Sequence, residues 1–94
     1  MAEEAALAAA VASRNRGWEH KRRGMYGPAR DEFTSAVEVV AGYQSTAAKR
    51  ARADALRGSS TVLGFLHDHA AARADVDAAF ELLADPDLAA SPAG

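Results

Sequence analysis

The sequence of 94 residues contains no cysteine and only three prolines. The absence of cysteine excludes disulfide bonds, thiolate metal sites and a cysteine nucleophile. No apolar run reaches the roughly 20 residues that a membrane-spanning helix requires. The apolar stretch near the N-terminus follows Glu3 and Glu4, where a signal peptide would carry positive charge. We therefore expect a cytoplasmic protein.

Common catalytic motifs are also missing. The sequence has neither a glycine-rich phosphate loop nor a G-x-S-x-G nucleophile elbow. Asp75 and Asp77 are two positions apart on a predicted helix, so their carboxylates point to different faces. The same spacing separates His67 from His69, which argues against a shared metal ion. We predict that the chain is not an enzyme and binds neither a metal nor a cofactor.

The residues that are present favour helices. Alanine is abundant, whereas β-branched runs and alternation of apolar with polar residues are rare, so the pattern predicts an all-α fold. Three turn signals divide the chain: Gly24–Pro28, Gly42 and Asp85-Pro86. Together with the apolar stripes, which divide the segment after Gly42 into two helices, they predict four antiparallel helices in a single domain, residues 1–85. Residues 86–94 are predicted to be a disordered C-terminal tail.

The predicted helices cover about residues 2–23, 28–42, 45–69 and 72–84. Gly58-Ser59-Ser60 is a possible break in the third helix, but its apolar stripe keeps the same phase on both sides, which favours one continuous helix. Phe33 lies on the apolar stripe of the second helix. The fourth helix is predicted to turn four residues inward: Val76, Ala79, Phe80 and Leu83.

One segment resembles a known helical repeat. Gly24-x-Tyr26-x-x-Ala29-x-x-x-Phe33-x-x-Ala36 is similar to the inter-helix turn and second helix of the tetratricopeptide repeat. A fainter second copy pairs Leu63-Gly64 with Phe80. The two phenylalanines are 47 residues apart, more than the repeat's usual period of about 34. The resemblance implies two repeat-like hairpins, and a plain four-helix bundle is the alternative.

The resemblance also implies a concave groove formed by the first helix of each hairpin. The corresponding positions in the first copy are Arg14, Asn15, Trp18, Lys21 and Arg22, and those in the second copy are Thr61, Phe65, Asp68 and His69. Exposed aromatic rings and arginine forks are suited to a carboxylate-bearing peptide. This predicts an adaptor that binds a protein partner or an acidic peptide and that forms a homodimer. Alternatively, Trp18 belongs to the core.

The charges leave a second functional class open. Residues 14–57 carry ten Lys and Arg against five Asp and Glu, while residues 58–94 carry one Arg against six acidic residues. The basic clusters at residues 14–23 and 49–57 are typical of phosphate or nucleic-acid binding. However, the net charge is −2, and nucleic-acid binding needs several phosphate contacts. A small nucleic-acid-binding or regulatory protein is therefore the alternative to the adaptor.

Overall fold

A computed structural model describes residues 2–84, in which all regular secondary structure is helical. The four helices are α1 (Glu3–Arg22), α2 (Tyr26–Val39), α3 (Thr46–Phe65) and α4 (His69–Leu83). α1 packs against α2 and α3 against α4, forming two hairpins, and α3 also packs against α2 and α1. The predicted all-α fold of four helices is confirmed. The predicted tail, residues 86–94, lies outside the described part.

None of the helices between residues 2 and 84 combines the length and apolar character needed to cross a lipid bilayer.

The helix ends differ from the sequence prediction mainly at the turns. α2 begins at Tyr26, two residues before Pro28, and this is tolerated because N–H groups in a first helical turn have no helical partner. α3 ends at Phe65, and α4 begins at His69 instead of near Ala72. The Asp68 side chain caps α4 by accepting a hydrogen bond of 3.2 Å from the Ala71 backbone N–H. This cap starts α4 earlier than its apolar pattern suggests.

α3 runs without a break through Gly58-Ser59-Ser60, as predicted. The hydroxyl of Ser60 donates to the carbonyl oxygen of Arg57 at 2.8 Å, and that of Thr61 donates to the same oxygen at 3.0 Å. These bonds satisfy the hydroxyls inside the helix, so the hydroxyls do not compete with its backbone hydrogen bonds.

The centre of the molecule is built around the fully buried ring of Phe33. α1 approaches this ring at Gly17 and α3 approaches it at Gly58. A Cβ atom placed on Gly17 would lie 2.9 Å from the ring, and one on Gly58 would lie 2.4 Å from it. Only glycine leaves room for the ring at both positions, so these two residues bring three helices together.

α4 is covered on one side only. Within residues 2–84 it packs against α3 and no other helix, and Ala79 is its one buried residue. Phe80 is 66% exposed and Leu83 is 40% exposed. The prediction that both point inward is wrong, because no further helix among residues 2–84 lies over that face of α4.

The two hairpins have the same layout at a displacement of 43 residues. α1 and α3 begin at Glu3 and Thr46 and end at Arg22 and Phe65, so both ends differ by 43 positions. α2 and α4 begin at Tyr26 and His69, with the same displacement. The four helices are therefore two structurally equivalent pairs.

Details of the turns and helix contacts repeat with the same displacement. Gly24 in the first turn has a φ of 75°, and its equivalent His67 in the second turn has a φ of 62°. Arg16 donates to Glu32 between α1 and α2, and the equivalent Ser59 donates to Asp75 between α3 and α4. By this alignment Phe80 corresponds to Val37. The sequence alignment of Phe80 with Phe33 is therefore wrong by four residues, about one helical turn.

Candidate functional site: a cleft between α1 and α3

A cleft of about 450 Å³ lies between α1 and α3. We call it the α1/α3 cleft; it is lined by Arg14, Asn15 and Trp18 from α1 and by Asp54, Arg57 and Thr61 from α3. On each helix these residues are mostly three or four positions apart, which places them on one face. The cleft therefore combines cationic, hydrogen-bonding and aromatic side chains.

The charges in the α1/α3 cleft are only partly paired. Arg14 Nη1 lies 3.5 Å from Asp54 Oδ2, so an ion pair links the two walls. Both side chains are partly exposed, with 30% and 40% of their surfaces accessible. No carboxylate within residues 2–84 forms an ion pair with Arg57. The lining therefore holds two guanidinium groups against one carboxylate.

Trp18 is the aromatic residue that lines the α1/α3 cleft, and other rings lie around it. The half-buried ring of Trp18 meets the Phe33 ring edge-on at 5.1 Å between centroids, so Trp18 contacts the core and lines the cleft at once. The Lys21 Nζ atom lies 5.7 Å from the centroid of the Trp18 ring and 5.5 Å from that of Phe65. Phe65 stacks on Tyr26 at 4.8 Å and remains 51% exposed. Lys21 thus joins two rings through cation–π contacts.

The structure brings together most of the residues predicted to form the groove. Arg14, Asn15, Trp18 and Thr61 line the cleft, and Lys21 lies next to it between the rings of Trp18 and Phe65. The other three predicted residues are elsewhere, and one of them, Asp68, caps the start of α4. Arg22 is exposed and pairs with Glu19 on its own helix. His69 is exposed at the start of α4, with its ring 6.1 Å from that of His67.

Two lining residues, Asp54 and Arg57, were not predicted as groove residues. Both lie on the face of α3 that carries Thr61, at spacings of three and four residues. That periodicity was present in the sequence. The basic cluster at residues 49–57 was interpreted as a possible phosphate-binding or nucleic-acid-binding feature, and the position of Arg57 on the same helical face as Thr61 did not enter the predicted groove.

Several arginines of the first basic cluster form ion pairs. Arg16 Nε lies 2.8 Å from Glu32 Oε2, and Arg23 Nη2 lies 3.2 Å from Glu19 Oε1. Glu19 also accepts from Arg22. Two acidic side chains therefore offset part of the positive charge of residues 14–23.

In the part of the chain that the structure describes, no group of three or more His, Asp and Glu side chains converges on a possible metal position.

Comparison with protein-family models, with curated proteins and with solved structures gives no match to this chain.

Proposed function

We propose that this chain is a non-catalytic interaction module that binds a carboxylate-bearing segment of a partner protein in the α1/α3 cleft. The observation that carries the proposal is the placement of the Trp18 ring and the Arg57 guanidinium in one cleft. An aromatic anchor beside a cation without an internal carboxylate partner is suited to an acidic peptide.

Arg57 supplies the primary charge for such a partner. Its planar guanidinium can donate two parallel hydrogen bonds to one carboxylate, a stronger and more specific contact than a single neutral hydrogen bond. Arg14 lies in the same cleft, where its 3.5 Å pair with Asp54 is long and exposed to water. Such a pair contributes little stability, so Arg14 can turn toward a bound carboxylate at low cost.

The architecture supports the interaction role. In tetratricopeptide-like arrays the first helix of each hairpin lines the binding surface. Here α1 and α3, the first helices of two equivalent hairpins, line the α1/α3 cleft. We propose that the hairpins are repeat-like in this sense, although their spacing is longer than that of the family.

A protein partner is favoured over nucleic acid by the ion pairs within the basic cluster. Glu19 and Glu32 engage Arg16, Arg22 and Arg23. Each pair reduces the charge that is free for a phosphate, and binding to a duplex depends on several such contacts.

Trp18 makes the proposal directly testable because it is the only tryptophan in the chain. Peptides rich in Asp and Glu with a free C-terminal carboxylate are titrated while Trp18 fluorescence is recorded, alongside lysine-rich peptides of equal length. We expect saturable changes with acidic peptides only. Arg57→Gln should weaken binding by about 10-fold to 100-fold, since a hydrogen bond to a charged group contributes roughly 1.5–3 kcal/mol.

Arg73→Gln is the matched control, because Arg73 lies on α4 outside the α1/α3 cleft and pairs with Asp77. It should bind acidic peptides like the unchanged chain. Equal losses for both variants would indicate general charge attraction, and no fluorescence response to any acidic peptide would contradict the proposed site.

A further inference from the structure

A second groove lies between α3 and α4, with a volume of about 520 Å³. We call it the α3/α4 groove; it is lined by Arg57, Ser60 and Thr61 from α3 and by Val76, Ala79, Phe80 and Leu83 from α4. The α4 wall is wholly apolar, and two of its large side chains, Phe80 and Leu83, are exposed. Among residues 2–84, no helix covers this groove, which is the outer face of the second hairpin.

The first hairpin has the equivalent groove, but there it is filled. At the displacement of 43 residues, the α3/α4 lining corresponds to Arg14, Gly17, Trp18, Phe33, Ala36, Val37 and Val40. α3 packs against α1 and α2, and three of these residues, Phe33, Ala36 and Val40, are at most 1% exposed. The packing of α3 on the first hairpin therefore shows how a helix can occupy the groove on the second.

α3 fills the first groove with small residues. Ala48 and Ala55 pack in one core cluster with Ala36 and Val40, and Ala51 packs against the same cluster. Further along α3, Gly58 meets the Phe33 ring. Small side chains let the helix backbones approach closely, so the helix that fills the equivalent groove should carry the same pattern.

α1 carries that pattern on an open face. The α1 positions equivalent to the packing face of α3 are Ala5, Ala8, Ala12, Asn15 and Glu19. The three alanines and Asn15 are exposed, since the described helices cover only the opposite side of α1. The molecule thus has an alanine face at one end and an open α3/α4 groove at the other.

The two surfaces also fit each other at positions where their residues differ from those in the contact between α3 and the first hairpin. Gly58 meets Phe33 inside the molecule, whereas the equivalent pair would be Asn15 against Val76, so a larger residue meets a smaller one. Val62 lies in the cluster that Tyr26 packs against, and the equivalent pair would be Glu19 beside His69. An imidazole N–H can donate a hydrogen bond to a carboxylate oxygen, so this pair is compatible with contact.

We propose that α1 of a second copy of this chain docks in the α3/α4 groove, so that copies associate head to tail. The inference goes beyond the peptide-binding function, because it uses the α3/α4 groove and the outer face of α1. Each copy contributes two different surfaces, so the contact is heterologous. Repeating it adds further copies, and the assembly either closes into a ring or grows as an open filament. The incoming α1 would then pack on α3 and α4 of the first copy in the way that α3 packs on α1 and α2 within one copy.

Two variants, each blocking one of the two surfaces, test the proposal. Ala8→Arg adds a charge to the exposed alanine face, and Phe80→Asp adds one to the exposed wall of the α3/α4 groove, so neither disturbs the core. We expect light scattering and sedimentation to show concentration-dependent association of the unchanged chain and monomers for either variant. An equimolar mixture of the variants should form dimers only, because one intact pair of surfaces remains.

Ala74→Arg is the control, since Ala74 is exposed on α4 but does not line the α3/α4 groove. It should associate like the unchanged chain. Association that Phe80→Asp abolishes and Ala8→Arg leaves intact would indicate a symmetric contact through α4 and would overturn the proposal. A chain that remains monomeric at every concentration would overturn it as well.

Disulfide formation tests which residues of α1 and α4 face each other between copies. The natural chain has no cysteine, so only the introduced cysteines can form a bond. Asn15→Cys mixed with Val76→Cys should give an oxidised heterodimer. Asn15→Cys mixed with Ala74→Cys should not, since Ala74 lies outside the α3/α4 groove. Equal yields from the two mixtures would overturn the proposed register and with it the equivalence to the packing of α3.

Discussion

At the level of single residues, Phe33 shows how far the sequence can be interpreted. Its burial follows from the apolar stripe of its helix, and the structure confirms it. The role of Gly58 does not follow from the sequence, which marks Gly58-Ser59-Ser60 as a possible break. The space that a glycine provides depends on which ring lies opposite, and that contact joins residues far apart in the chain.

The contact between Gly58 and Phe33 makes an unusual prediction for Gly58→Ala. Replacing glycine by alanine inside a helix normally stabilises it by about 1 kcal/mol. Here the new Cβ would lie 2.4 Å from the buried ring, and overpacking of this kind costs about 1–3 kcal/mol. We expect a net loss of up to about 2 kcal/mol in unfolding free energy by chemical denaturation, in place of the usual gain.

Gly64→Ala is the control in the same helix, because a Cβ there meets nothing within 4 Å. It should leave stability unchanged or raise it. Adding Phe33→Leu to Gly58→Ala should cost less than Phe33→Leu does alone, since the smaller side chain relieves the overlap. Strict additivity of the two substitutions would contradict a direct contact.

Phe80 marks the limit of interpretation from periodicity. Apolar spacing shows which face of a helix is apolar, but it does not show whether another helix covers that face. α4 has such a face, and among residues 2–84 only α3 packs against the helix. Phe80 was therefore predicted to be in the core although it is 66% exposed.

At the level of helices, α1 differs from its predicted packing. Leu7, Ala10, Val11 and Trp18 are apolar and lie near helical spacing, a pattern that predicts an inward stripe. The buried residues are instead Ala6, Ala10, Ser13 and Gly17. Val11 is 42% exposed. α1 packs closely through its small residues, and its larger side chains lie beside the contact. A prediction from hydropathy alone assigns the largest apolar side chains to the core. In an alanine-rich helix it therefore identifies the wrong face as the buried one.

The backbone conformation shared by the two turns predicts that placing glycine in one turn stabilises the protein and that removing glycine from the other destabilises it. Gly24 and His67 both have positive φ, a conformation that costs a residue with a Cβ about 1 kcal/mol relative to glycine. His67→Gly should therefore raise the unfolding free energy by up to about 1 kcal/mol, and Gly24→Ala should lower it by a similar amount. Thermal or denaturant unfolding of both variants measures the two effects.

Gly27→Ala is the comparison for the first turn, since Gly27 has neither a positive φ nor a close neighbour. It should not share the loss expected for Gly24→Ala. If His67→Gly destabilises the chain instead, the histidine side chain makes a contact that outweighs the strain of its backbone.

At the scale of the whole molecule, the number, the approximate limits and the pairing of the helices into hairpins could be predicted, but the packing of one hairpin against the other could not. A plain bundle and two stacked hairpins require the same apolar stripes. The observed arrangement depends on contacts such as Gly58 with Phe33 and Ser59 with Asp75. For the α1/α3 cleft, the α1 side and Thr61 of α3 were predicted from the resemblance. Asp54 and Arg57 were missed because the rotation and register of α3 beside α1 are tertiary features.

The sharing of Phe33 between hairpins predicts that the first hairpin does not fold alone. The ring is enclosed by Gly17 from its own hairpin and by Gly58 and Val62 from the next. A shortened chain of residues 1–43 loses the latter contacts, and chains of about 40 residues rarely fold without added cross-links. We expect far-ultraviolet circular dichroism to show little helix and no cooperative unfolding transition.

The intact chain carrying Phe80→Asp is the control for this experiment, because it removes apolar surface from the outer face of α4 and leaves the contacts of Phe33 in place. It should retain the helix content of the unchanged chain. Cooperative unfolding of residues 1–43 would instead show that each hairpin is an independent folding unit.

Arg57 and Thr61 line both the α1/α3 cleft and the α3/α4 groove. If both proposed contacts form, an Arg57 guanidinium that turns toward a peptide carboxylate in the cleft withdraws from the helix docked in the groove. We then expect occupancy of the two sites to be thermodynamically linked, with a reciprocal linkage: if peptide changes the affinity between copies by some factor, assembly changes the affinity for peptide by the same factor. Under the two proposals, a single side chain on α3 would couple peptide binding to assembly.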